Sequence, residues 1–373
     1  MKKSYQLSLI LLFIYSGLYA QTFSDKVVGK KNATVIDSLK NSEYPYSLPI
    51  WGAKATKAGF KLPYSAGISV QYLWQKQDLI IDNLFIGFNN SEPVNLDNVV
   101  RFEDCVSEAA AVNFRPDVWL FPFLNIYGIF AKSKPSTTVN FGIWVPDSTN
   151  TSREVFNAST IAEFDAMSMG FGLTPTIGVA GGWIALDMNF TWTDIDAIES
   201  PVYSFIFDPR IGKSFNFKKP DQNLALWVGG FRWSIASETV GSLPLSDLFS
   251  TEEFGSKVDQ GEMKVSDAQQ QIDSWWSGLS SVEQNNPVNE AKYETANRAL
   301  DAAGNFLAAA DGAVNTLSTS TVQYSLDKRP AQMWNLTIGG QFQLNKHWMI
   351  RGEYGFLGTR QQFFTGLQYR FGL

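Results

Sequence analysis

Trp334-Asn335-Leu336-Thr337-Ile338-Gly339-Gly340-Gln341-Phe342-Gln343-Leu344-Asn345-Lys346-His347-Trp348-Met349-Ile350-Arg351-Gly352-Glu353-Tyr354-Gly355-Phe356 is the stretch on which the fold turns. Trp334, Leu336, Ile338, Phe342 and Leu344 share one face, and Asn335, Thr337, Gly339, Gln341 and Gln343 share the other. Such a period of two is that of a β-strand, whose side chains alternate across the sheet. Asn345-Lys346 makes a tight turn. Beyond it Trp348, Ile350, Tyr354 and Phe356 oppose Arg351, Glu353 and Gly355. A third segment runs to the end, with Phe363, Leu367, Tyr369, Phe371 and Leu373 against Gln362, Gly366, Gln368 and Arg370.

The same alternation recurs upstream. Met169, Phe171, Leu173, Ile177 and Val179 oppose Gly170, Gly172, Thr174, Thr176 and Gly178; Ile184, Leu186, Met188, Phe190 and Trp192 oppose Asp187, Asn189, Thr191 and Thr193. Tyr203, Phe205, Phe207, Ile211, Phe215 and Phe217 oppose Ser204, Asp208, Arg210, Gly212 and Asn216. In a water-soluble sandwich the apolar face is the core. Here that face carries bulky aromatics near the strand ends, while the other is rich in glycine, hydroxyls and charges of both signs. These are the marks of a barrel whose outside meets lipid and whose inside is polar. A mean hydropathy of −0.11 with 14% aromatics fits, because only alternate residues face lipid.

The fold class expected is all-β, a transmembrane antiparallel β-barrel of about 12 strands, within bounds of 10 to 14, carrying an inserted α-helical hairpin. The strands fall near 65–75, 78–89, 109–120, 123–132, 137–145, 168–180, 182–193, 202–217, 223–236, 332–344, 347–357 and 361–373. Short turns at 180–182, 218–221 and 345–346 are assigned to the periplasmic end, and the long segments 146–167 and 237–331 to the outside. The connection 90–108 is too long for the periplasmic side to which this count assigns it.

Within 237–331 the period changes. Val265, Ala268, Ile272, Trp275, Leu279 and Val282 are spaced three and four apart, as are Tyr293, Ala296, Leu300, Ala303, Leu307, Ala310, Val314 and Leu317 after Asn285-Asn286-Pro287. Two seams flanking a proline turn predict an antiparallel helical hairpin. It is either a self-packed protrusion, a lid over the pore, or a docking site.

At the other end Lys2 and Lys3, the apolar run 7–15 and the small-residue stretch Ser16-Gly17-Leu18-Tyr19-Ala20 predict a signal peptide over 1–20. Its removal takes away two lysines and changes the formal charge from −6 to −8, which argues against nucleic acid as a partner. Residues 21–64 read as an N-terminal periplasmic leader or a short plug, 65–236 as barrel strands one to nine, 237–331 as the extracellular helical insertion, and 332–373 as the last three strands. Cys105 is the single cysteine, so no intramolecular disulfide is possible.

The closing run Gly366-Leu367-Gln368-Tyr369-Arg370-Phe371-Gly372-Leu373 resembles the C-terminal signal that outer-membrane barrels present to their assembly machinery. It departs from that pattern in ending on Leu373, two residues beyond Phe371. More broadly, residues 62–88, 117–128 and 334–371 resemble uncharacterised outer-membrane β-barrel proteins of Gram-negative bacteria. The resemblance implies an outer-membrane location, contact with outer-membrane lipid and with the assembly machinery through Gly366, Tyr369, Phe371 and Leu373, and no particular substrate.

Catalytic chemistry finds little footing. Barrel hydrolases use a histidine base, and His347, the one histidine, sits at the periplasmic turn, where an interfacial role fits better. No His or Cys cluster suggests a metal; Asp194, Asp196 and Glu199 lack the spacing of a calcium loop. No phosphate-binding glycine motif follows a strand, and no cofactor is expected. What remains is a charged lumen, expected to be lined by Arg115, Asp117, Asp187, Asp208, Arg210, Arg232, Arg351, Glu353 and Arg370. These either pair across a narrow barrel or line a wet channel. The expected function is a channel or transporter for a small solute; the competing one is a non-transporting surface or structural barrel whose helical insertion binds a partner.

Overall fold

A computed structural model describes residues 37–38, 40–41 and 43–373, save 147–150, 180, 197–199, 220, 236–237, 315 and 317; the segment 1–20, expected to be a signal peptide, lies outside the described residues. The strands are β1 (Ala66–Phe88), β2 (Val94–Asn95), β3 (Val100–Phe121), β4 (Leu124–Pro146), β5 (Ser152–Glu163), β6 (Ala166–Val179) and β7 (Gly182–Ile195). They continue with β8 (Val202–Asn216), β9 (Asn223–Ile235), β10 (Glu238–Pro244), β11 (Thr321–Pro330), β12 (Trp334–Gln343), β13 (Trp348–Gly355) and β14 (Gln361–Phe371). Ten of them form a ring in the order β1-β14-β13-β12-β9-β8-β7-β6-β4-β3, which closes where β1 pairs with β3 from Ala66↔Val118 to Asp78↔Val106. All its pairings are antiparallel, so the ring has no free edge.

The expected strands 65–75 and 78–89 are one strand of 23 residues, and 123–132 and 137–145 are another of 23. Merging these two pairs turns the expected twelve into the ten of the ring. It also moves the connection after β1 to the loop end, which removes the difficulty with 90–108. At about 3.3 Å per residue each of the long strands extends roughly 75 Å, more than twice what a bilayer core requires. The alternation breaks at Gln75-Lys76-Gln77-Asp78 and at Lys132-Ser133-Lys134, where the outer face leaves lipid and apolar side chains are no longer needed there.

Above that level the long strands form a crown. β11 pairs with the upper half of β1 (Leu79↔Pro330 to Phe88↔Val322), β10 pairs with β11, and β5 pairs with the upper half of β4 (Ser136↔Glu163 to Pro146↔Ser152). The segments holding β5, β10 and β11 read as loop or helical insertion in the sequence. Their water-facing positions, such as Asn157, Ser159 and Glu163 on β5, show no hydrophobic constraint.

The insertion contains helices α2 (Thr251–Ser277), α3 (Ser281–Gln284) and α4 (Pro287–Val314). Their seam is the expected one in its lower part, where Ala268, Ile272, Leu300, Ala303, Leu307 and Ala310 are buried. Toward the tip it opens: Trp275 and Leu279 are half-buried, Val282 is 82% exposed, and Trp276 stacks on Tyr293 at 4.5 Å. Ser280 and Glu283 form a reciprocal capping box that restarts the chain as α3. The hairpin does not stand free of the barrel. Phe306 meets Phe88 at 5.8 Å and Phe156 at 5.6 Å, Phe254 meets Phe156 at 6.2 Å, and Arg153 of β5 pairs with Asp267 of α2 at 2.9 Å. One apolar core therefore joins hairpin and crown.

At the opposite end residues 43–64, with the short helix α1 (Gly52–Lys57), cross the mouth that holds the C-terminus. Leu48 N donates to Leu373 O (3.2 Å), Ile50 N to Leu120 O (2.9 Å), Trp51 rests on Phe121 at 5.0 Å, and Lys61 pairs with Asp221 in the β8–β9 turn. These anchors lie at separate points of the rim, so the described part of 21–64 caps the barrel end.

Candidate functional site

The two faces of the wall have separate chemistry. Outward, Val70, Val112, Phe171, Ile211, Val228, Ile338, Ile350 and Leu367 are exposed around the ring. Trp192, Tyr203 and Trp334 mark one rim of this belt and Phe215, Trp348 and Tyr369 the other. Backbone groups can cross a bilayer only when every hydrogen bond is satisfied, which a closed ring achieves.

Inward, the half of the lumen nearest the termini is filled. Asp117, Asp187, Asp208, Arg210, Glu353 and Arg370 are each less than a tenth exposed, as are Trp119, Tyr127, Trp183 and Trp227. Glycines make the packing possible. Tyr127, Gly172 and Asn189 are register partners on three successive strands, and Tyr127 lies flat across the glycine to donate to Asn189 Oδ1 (2.8 Å) and to Asp187. Trp227, Gly339 and Glu353 form a second such row, in which Trp227 Nε1 donates to Glu353 Oε2 (2.7 Å). In a third, Arg370 and Asp117 meet across Gly67 at 3.4 Å. A Cβ at Gly172 or Gly339 would overlap the aromatic ring lying over it. The glycine-rich inner face legible in the sequence thus serves as bedding for large side chains.

The charges form one network. Asp187 and Asp208 face each other in register, and Arg210 bridges them at 2.8 and 3.5 Å. Thr174 also donates to Asp187 (2.8 Å). Arg351 pairs with Glu353 at 3.2 Å and lies between the rings of Trp227 and Phe364, 5.0 Å from each centroid. Arg115 stacks on Tyr127 at 3.3 Å. Buried ions persist only with such partners. They close the lumen as a floor.

Above the floor lies a cavity of about 520 Å³. Its walls are mainly apolar, including Leu73, Leu79, Ile81, Ala109, Ala111 and Ile206, and its roof is Leu248, Phe249, Phe254 and Phe306 at the base of the hairpin. The hairpin is therefore built over the lumen. Of the charged groups lining the chamber, Arg115, Asp187, Asp208, Arg351 and Glu353 belong to the floor, and Lys328 stands in the crown wall.

The chain is an outer-membrane β-barrel. The closed ring and its lipid-facing belt make it so. No protein-family model matches it, and no curated protein matches it. Among solved structures it is similar to the β domain of the Bordetella autotransporter BrkA, at 7% identity and a TM-score of 0.33 over 82% of this chain and 100% of that one. It is also similar to the transport unit of the autotransporter AIDA-I from Escherichia coli, at 9% identity and 0.31 over 91% and 97%, and to a Pseudomonas aeruginosa FadL homologue, at 7% identity and 0.27 over 90% and 96%. At such scores the likeness identifies no function.

In this barrel the residues expected to line the lumen do not all do so. Arg115, Asp117, Asp187, Asp208, Arg210, Arg351, Glu353 and Arg370 point inward. Arg232 does not: its register partners are Phe207 and Trp334, both on the outer face, and Leu226 and Val228 of its own strand keep the same parity. Its charge suggested the lumen, whereas the alternation of β9 places it on the outer rim beside aromatics, where an arginine head reaches water. His347 lies in the β12–β13 turn, stacked on Tyr369 at 5.2 Å, with Nδ1 2.8 Å from Arg370 O. Asp194 and Asp196 lie at the loop end, and Glu199 lies outside the described residues. No group of three metal-ligating side chains occurs among the described residues. Sequence reading missed Lys328, because β11 was hidden inside the presumed insertion, and Arg360, because it sits in the β13–β14 loop. Arg360 is fully buried, stacked on Phe231 and Trp233 at 4.7 and 5.1 Å, and donates to Gln75 Oε1 at 2.9 Å.

Proposed function

We propose that the protein is a gated transporter that receives a small apolar or amphipathic molecule in the chamber between hairpin and floor. The observation that carries this reading is the mainly apolar cavity inside a barrel whose floor is charged. Its size falls within the roughly 300–1,000 Å³ of small-molecule sites. An open, porin-like path is disfavoured, since the floor residues are packed against one another. The exposed Val282 and Val288 at the hairpin tip support a second reading, contact with a surface partner. The lipid-facing Tyr369 and Phe371 beside the terminal Leu373 support recognition by the assembly machinery.

Two measurements test the transport reading. The protein in planar bilayers is expected to show no steady conductance, and the amphipol-held protein is expected to bind N-phenyl-1-naphthylamine saturably. Ala111→Trp, which fills the chamber from its wall, should abolish that binding while the barrel remains heat-modifiable on gels. A steady open-channel current, or dye binding unaffected by Ala111→Trp, refutes the proposal.

A further inference from the structure

The charges that meet the chamber are not all paired. On the floor Arg210 bridges Asp187 and Asp208, Arg351 pairs with Glu353, Arg370 pairs with Asp117, and Arg115 lies on the Tyr127 ring. Lys328 has no such match. It lies on the inward face of β11 with Val322, Tyr324 and Leu326, and its register partner on β1 is Ile81. The nearby acids are turned away: Asp82 pairs with Arg329 at 3.5 Å, and Asp327 accepts from Asn83 at 2.6 Å, both on the outer face of the crown.

A second observation points the same way. The chamber wall also holds polar atoms without a hydrogen-bond partner. Gln77 is 2% exposed with neither its amide nitrogen nor its oxygen bonded, and the hydroxyls of Thr160 and Thr239 are also without partners. Thr239 is in register with Leu326, two residues from Lys328 on the same face. Gln77 stands four residues before Ile81 on β1, roughly 13 Å along the strand. Buried polar groups ordinarily find hydrogen-bond partners, and each left alone destabilises the fold. The buried, unpaired Thr239 hydroxyl beside Lys328 on the neighbouring strand fits a ligand head that supplies its acceptor.

We infer that the chamber selects molecules with an apolar body and an acidic head, the head carboxylate paired by Lys328 and hydrogen-bonded by Thr239. This rests on the transport reading above and names its substrate class. Burial alone lowers the pKa of the Lys328 ammonium, so in the empty chamber its charge is disfavoured, and a bound carboxylate compensates for that burial. Arg360, buried behind Phe231 and Trp233 with its Nε and one terminal nitrogen unpaired, adds positive potential lower on the same wall.

The test compares decanoate with decan-1-ol, which share a chain and differ in head charge, by calorimetric titration of the amphipol-held full chain at pH 7.4. Decanoate is expected to bind about tenfold more tightly, as a charge-assisted bond in a dry site provides. Lys328→Met should remove that preference, and Lys328→Arg should retain it. Equal affinities in the wild type, or a preference that survives Lys328→Met, overturn the inference while decan-1-ol binding upholds the transport reading. Failure of the wild type to bind either ligand overturns both. Should Lys328→Met fail to assemble, Lys328→Gln at the same position gives the same comparison.

Discussion

The floor network makes a prediction whose size follows from its geometry. Asp187 and Asp208 are direct register partners, so two carboxylates face each other across adjacent strands, and Arg210 is the cation that bridges them at 2.8 and 3.5 Å. All three are less than a tenth exposed. Arg210→Met keeps much of the side-chain volume and removes the charge, leaving two buried acids against each other. Removing one partner from a buried pair costs about 3–5 kcal/mol. Since 1.36 kcal/mol is tenfold in an equilibrium constant, the ratio of folded to unfolded protein should fall by roughly two to four orders of magnitude. Urea unfolding in lipid vesicles, read by loss of the heat-modifiable band, measures it. Adding Asp187→Asn and Asp208→Asn to Arg210→Met should recover most of the loss, because the uncompensated charges leave with their partner. An Arg210→Met barrel within about 1 kcal/mol of wild type, the range of exposed ion pairs, refutes the view that these residues form a dry floor.

Four further outcomes are expected. Gly339→Val should break the Trp227–Glu353 contact and destabilise the barrel by about 1–3 kcal/mol in the same assay; a neutral result contradicts the packing described. The Cys105 thiol is pushed up to about 11, chiefly by burial and then by Asp104 and Asp78, so it stays protonated at pH 8; iodoacetamide should label it about a hundredfold more slowly than a model thiol, gaining as pH rises toward that value, and labelling at the free-thiol rate is the contrary result. Tyr369→Asp with Phe371→Asp should leave unassembled, degraded chain, and normal membrane levels of that variant exclude the C-terminal signal. An epitope inserted after Asn286, at the hairpin tip, should be reached by antibody on intact cells; detection only after permeabilisation reverses the orientation of the barrel.

The ring was legible wherever lipid acts on the chain. From β6 to β9 and from β12 to β14 the outer positions must be apolar and the inner ones small or polar, so the alternation of Met169 to Val179 or Trp334 to Leu344 could be read directly. Where the strands rise out of the membrane that pressure ends. The period of two accordingly lapses in β1 at 76–77 and in β4 at 133–136, and β5 reads as loop and β10 and β11 as part of the helical insertion. The helical seam was visible in Ala268, Ile272, Leu300 and Leu307, because burial against another helix imposes its own period. Arg232 shows the limit of judging by residue type: a charge suggests the interior, but parity with Leu226 and Val228 puts it outside.

By itself the sequence determined that this chain alternates as a membrane barrel does, that a helical hairpin interrupts it, and that charges of both signs face inward. Those facts are local, set by the period of a strand or a helix against lipid or a neighbouring face. Only the tertiary structure decided that Tyr127, Trp227 and Arg370 lie across glycines of adjacent strands, that Arg210 bridges two opposed acids, and that the hairpin roofs the lumen. Lys328 and Gln77, 251 residues apart by subtraction of their numbers, share one chamber because β11 docks on β1. Such contacts join residues distant in the chain. The register of the closed ring sets them, and no local period records it.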